Sequence, residues 1–190
     1  MDPQKHEIKR EFAYDSGLLN PVKAIDPGLV FNASGPDYNS FLCKQGYNTT
    51  TRRLITGDHS VCRSTKTGRA WNLNYPSLSL AIEDGQKIKG NFFRTVTNVG
   101  PSNSSYYMTY SMPNILKDTV RPSVISFSNV NETKSFTVQV RGAQISQVPI
   151  ISGSITWRDR VHEVKIPLVL YTVMPPVLHN NPLRVQQTST

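Results

Sequence analysis

From Tyr75 onward the chain is built of short alternating or β-branched runs separated by turn signals. They read YPSLSLAI, FFRTVTNVG, SYYMTYSM, TVRPSVISF, KSFTVQVRG, SGSITWRD and VHEVKIPLVLYTV. In the fifth run Phe136, Val138 and Val140 alternate with Thr137, Gln139 and Arg141. That period of two is the mark of a strand with one buried face. Ile155 and Trp157 share a face in the sixth run. Asp159-Arg160 then forms a tight connection into a last run whose Val164, Ile166, Leu168 and Leu170 again fall on one side. His162 lies in that run between apolar residues and reads as a structural residue of a strand face. Pro122 and Pro167 suit edge or strand-end positions, because proline cannot donate to a ladder. Seven short strands within about 100 residues predict an antiparallel β-sandwich.

The residues before Tyr75 follow a different pattern. Asn20 can cap a brief helix that has Pro21 in its first position and Val22, Ala24 and Ile25 on an apolar side, with Asp26-Pro27-Gly28 as its stop. LVF is then a short strand or extended piece. In GPDYNSFLCKQGY, Asp37 is a cap candidate, Tyr38, Phe41 and Leu42 fall at helical spacing, and Gly46 ends the turn. Residues 47–70 read as polar and turn-rich. A Cys43–Cys62 bridge would close about 20 residues and stabilise the chain by roughly 3 kcal/mol. Two buried free thiols are the alternative. The expected organisation is a helical, bridged preface over 1–72, a sandwich of immunoglobulin or fibronectin type over 73–172, and a tail without period over 173–190.

Composition adds location and removes several chemistries. The chain has 190 residues and carries 21 Lys and Arg against 13 Asp and Glu, a net charge of +8. The cations are dispersed, with Arg52-Arg53 a local pair, so they read as a solvated basic surface rather than a nucleic-acid footprint. No apolar run approaches the length of a membrane span. Four Asn-x-Ser/Thr sequons, at Asn32, Asn48, Asn103 and Asn131, are glycan acceptors if the chain is secreted. The N-terminus MDPQKHEIKREF has no hydrophobic leader. A chain cut from a longer secreted protein reconciles the two. His6, His59, His162 and His179 have no metal-ligand spacing, and no nucleophile elbow, P-loop or dinucleotide fingerprint is present. Glu11 and Asp15 near Tyr14 read as a surface cluster. No catalytic residue, metal or cofactor is expected from the residues themselves.

Several stretches, taken together and in order, resemble the C-terminal part of plant subtilisin-like serine proteases of the cucumisin-like type. FAYDSGLLNPVKAIDPGLVF is similar to the segment that closes the family's protease domain. DYNSFLCKQGY and ITGDHSVC resemble the helix and the second cysteine region that follow it. LNYPSLSL, FRTVTNVG, KSFTVQV and GSITWRDRVHEVKIPL resemble strands of the family's fibronectin-III-like domain. Asp15 and Leu18 depart from the family's usual Gly and His. The resemblance implies a disulfide between Cys43 and Cys62, a secreted parent protein, and a catalytic domain upstream as the partner. It also implies that the Asp, His and Ser of the triad lie before this segment, so that the chain alone is inactive. The sandwich is then expected to dock on and stabilise that domain; a freestanding extracellular binding or scaffold module is the alternative.

Overall fold

A computed structural model describes residues 20–62, 69–146 and 150–173. The expectations for Glu11, Tyr14, Asp15, Leu18, His6, His179 and the tail from 174 onward fall outside these residues.

Two sheets face one another. One has four strands in the order β1-β3-β7-β5: β1 (Leu29–Val30), β3 (Lys87–Asn98), β7 (Thr133–Gln144) and β5 (Leu116–Arg121). The other has five in the order β2-β9-β8-β4-β6: β2 (Leu78–Glu83), β9 (Glu163–Val173), β8 (Ile150–Arg158), β4 (Ser104–Ser111) and β6 (Val124–Phe127). All ladders are antiparallel except β2–β9, which is parallel. The fold is therefore the β-sandwich that the alternation predicts.

The core lies between the sheets. Phe92, Val96, Phe136, Val138 and Val140 of the first sheet meet Leu80, Ile155, Trp157, Ile166 and Leu168 of the second, all buried. The Trp157 and Phe136 rings meet edge-on with centroids 5.2 Å apart, a favoured aromatic geometry. Of the expected core side chains, only Val164 is half-buried rather than buried; it sits near the start of β9 and packs against the cluster from the rim.

Several details differ from the sequence reading, each for a physical reason. The run TVRPSVISF is two strands, because the chain leaves the first sheet at Arg121 and enters the second at Val124. Pro122 falls in that crossing between two edge strands, where no ladder bond is asked of it. Pro167 lies inside β9, but pairing with β2 begins only at Leu168, so its strand is locally an edge on that side. β3 begins at Lys87, five residues before the expected run. Ile88 supplies the buried position that the short apolar content of QKIKGN understates.

In the preface, α1 (Pro21–Ile25) is capped by Asn20, whose side chain accepts from the Lys23 amide at 3.1 Å. α2 (Gly35–Lys44) is capped by Ser34 rather than Asp37. Asp37 instead takes the third helical position, where its carboxylate accepts from the Ser34 amide and hydroxyl at 2.8 and 2.6 Å, a capping box. The stretch read as polar and turn-rich contains α3 (Thr49–Thr56), capped by Asn48 and ended by Gly57 at φ 67°. Its apolar content is too small to show helical periodicity. A short 3-10 turn, η1 (Ala70–Asn72), leads into the sandwich.

Candidate functional site

The feature that organises the chain is the junction where the preface meets the sandwich. β1 extends the first sheet by pairing Leu29 with Asn98 and Val30 with Thr97. Leu29 is buried in the common core. The Gly28 carbonyl accepts from the amides of Val99 and Gly100 at 2.9 and 3.0 Å. Asn74 ties the two parts again: its Nδ2 donates to the carbonyls of Asn32 and Thr95, and its Oδ1 accepts from the Thr95 amide. Such side-chain amides replace ladder partners where the sheet edge would otherwise be bare.

His162 stands at the centre of this junction. It belongs to the loop between β8 and β9, not to a strand face as its neighbours in sequence suggested. Asp159 Oδ1 folds that loop by accepting from the amides of Val161 and His162 at 2.7 and 2.5 Å. The buried imidazole then lies between two carboxylates. Nδ1 is 2.9 Å from Asp159 Oδ2, and Nε2 is 3.1 Å from Asp26 Oδ1 at the end of α1. The hydrogen bond to Asp159 raises the His162 pKa above its ordinary value; burial opposes this and Asp26 adds to it. Burial alone would push the Asp159 carboxyl up, but hydrogen bonds from His162 and the Val161 amide hold it below the usual range. Beside them the Tyr106 hydroxyl is driven up, by burial first and by the Asp159 charge second.

The packing at this point demands a glycine. Gly28 has φ 72°, and a Cβ there would lie 2.6 Å from both His162 Cγ and Tyr106 Oη. Only glycine satisfies both the left-handed backbone and that approach.

Chemically, this arrangement is a clamp. A histidine that activates a nucleophile needs one ring nitrogen facing the group it deprotonates. Both nitrogens of His162 face carboxylates.

Two further cations are buried, against the reading of a solvated basic surface. Arg94 of β3 is buried and spends its guanidinium on the carbonyls of Tyr75, Phe93 and Ser77 at 2.9 to 3.0 Å. Burial pulls its pKa down to about 10. Arg52, read as part of a solvated basic pair, is completely buried beneath the loop that follows α3. It pairs with Asp58 at 3.1 Å and also donates to the side chain and carbonyl of Ser60. Hydrogen bonding from the Ser60 side chain is the largest influence that lowers the Asp58 pKa. This loop carries Cys62, which is joined to Cys43 of α2 in a disulfide.

The four sequon asparagines do not converge. Asn103 and Asn131 sit exposed in turns with φ of 55° and 64°. Asn48 caps α3 through its carbonyl oxygen, which accepts from the Thr51 amide. Asn32 differs, because its Nδ2 donates to Thr97 Oγ1 at 3.1 Å. Among the described residues no cluster of His, Cys, Asp or Glu could hold a metal ion, and no helix is long and apolar enough to cross a membrane.

Comparison with known proteins places this architecture. A family model described as a fibronectin type-III domain matches residues 72–170. Subtilisin-like protease SBT4.10 of Arabidopsis thaliana is 42% identical over 168 residues, which is 87% of this chain and 24% of the relative. Subtilisin-like proteases SBT4.6 and SBT4.3 of the same plant are 42% and 36% identical over 85% and 90% of this chain, and 22% and 23% of their own length. The chain thus spans about a quarter of the length of the curated relatives it matches.

Proposed function

This chain belongs to the fibronectin type-III domain family, and on that premise we propose that it is the C-terminal sandwich portion of a secreted subtilisin-like serine endopeptidase, which docks on and stabilises the catalytic domain of that protein. The observation that carries the reading is the apolar surface of the preface. Val22 and Ile25 of α1 are 79% and 86% exposed, and Leu54 of α3 is 82% exposed. Neither helix buries an apolar side chain against the sandwich. Short helices are held by tertiary packing of such a face rather than by their own propensity. A catalytic domain supplies the missing cover, and the His162 clamp and the Cys43–Cys62 bridge hold the preface in a fixed pose towards it. Catalysis belongs to that domain, and this chain supplies rigidity.

The test mixes the purified chain with the remaining portion of a similar Arabidopsis protease and follows how long peptide hydrolysis survives at raised temperature. The chain is expected to lengthen that half-life, and the double substitution Val22→Asp with Leu54→Asp to abolish the gain. An unchanged half-life in the presence of the intact chain would refute the reading.

A further inference from the structure

Cross-strand register gathers cations that are scattered along the chain. On the outer face of the four-stranded sheet, Lys89 of β3 lies opposite Arg141 of β7, and Lys117 of β5 lies opposite the same Arg141. All three are exposed. Elsewhere Lys134 pairs with Glu132 and Arg158 with Glu163, but none of the three has an ion-pair partner among the described residues. Strands are only about 4.8 Å apart, and like charges placed directly opposite destabilise a sheet. A fold that keeps three in one row gives up stability there, and departures of this kind mark functional positions.

The row has a built surround. Arg69, just before η1, lines the same groove as Lys89 and Arg141, together with the amides Asn72, Asn91 and Gln139. Its guanidinium lies 4.6 Å from the centre of the Trp71 ring, which holds it over the groove. Among the described residues no carboxylate lines this groove. We propose that this face binds a polyanionic glycan, a chain of uronic acid units. Its carboxylates meet Arg69, Lys89, Arg141 and Lys117, and its hydroxyls meet the three amides. A row of cations spread across three strands suits a repeating charge better than a single small anion. Non-specific capture of single-stranded nucleic acid calls for successive aromatic platforms, and Phe93 is the only ring exposed along this part of β3. The inference does not depend on docking to a catalytic domain.

The experiment measures binding of the full chain to polygalacturonate, with dextran as a neutral glycan and an oligothymidylate of matched charge as competitors. Polygalacturonate is expected to bind and dextran not. The affinity should fall at least about tenfold between about 50 and about 200 mM salt, as ions released from both partners require. Lys89→Glu with Arg141→Glu should weaken binding at least tenfold, and Lys165→Glu on the other sheet should leave it unchanged. Lys89→Glu alone removes a repulsion, so its melting temperature should be equal or higher while its binding falls, which separates lost binding from lost folding. Arg141→Gln is the milder second variant and should also weaken binding. Unchanged affinity in the folded variants, equal binding of dextran, or tighter binding of the oligothymidylate would each overturn the proposal.

Discussion

His162 shows how one side chain can set the condition under which a junction holds. Flanked by Asp159 and Asp26, the imidazole attracts both carboxylates as a cation only when it is protonated, through the Nδ1 hydrogen bond to Asp159 and the Nε2 approach to Asp26. Its folded-state pKa lies above the ordinary value. A group whose pKa is raised on folding contributes fully below its unfolded pKa, about 6.5. That contribution disappears as pH rises through the higher folded value. The chain should therefore melt at a higher temperature at about pH 5.5 than at about pH 8.5, while His162→Gln should flatten that dependence. Thermal melts of both proteins across the range are the measurement. Parallel curves for the two would show that the clamp does not depend on charge. The pair of carboxylates was hidden in the sequence, because Asp26 is far from His162 along the chain and only β1 pairing brings them together.

At the scale of the element, the strands were legible where alternation was uninterrupted. Phe136, Val138 and Val140 announced β7 through period alone, and all three are buried. Trp157 is likewise buried completely in β8. Trp157→Ala should cost about 3–5 kcal/mol, the range for emptying a large aromatic site in a packed core. Chemical denaturation reads this directly, and a loss within about 0.5 kcal/mol would be that of a surface position. Legibility failed where polar residues do the structural work. α3 has a polar composition and is stabilised by its Asn48 cap, its Gly57 stop and the buried Arg52–Asp58 pair, so apolar periodicity had nothing to report. The split of β5 from β6 was equally silent, since a change of sheet at Arg121 to Val124 leaves the alternation on both sides intact. The cationic row escaped for a similar reason. Lys89, Lys117 and Arg141 are neighbours through register and are isolated in the chain.

In the sandwich, the Asn131 sequon and the cationic row lie at opposite ends of β3 and β7. The Asn131 amide donates to the Asn98 carbonyl, where β3 finishes and β7 is about to start, and the Asn103 amide donates to Ser128 just after β6. The Lys89–Arg141 row sits at the other end of those two strands, about 30 Å away at the usual rise per residue. When the chain is secreted from a eukaryotic host, peptide mapping should find glycans on Asn48, Asn103 and Asn131 and the least on Asn32, whose Nδ2 is already engaged with Thr97. Full occupancy of Asn32 with empty turns would contradict that order. The parallel pairing of β2 with β9 has a mechanical consequence. After β1 the chain returns to the sandwich at Leu78, opposite Leu168, and the last described strand ends at Val173, opposite Glu83. Entry and exit therefore point in opposite directions along two adjoining strands. A pull applied at Leu78 and at Val173 slides β2 past β9 in shear, and the six residue pairs between them bear the load together rather than parting one at a time like a zip.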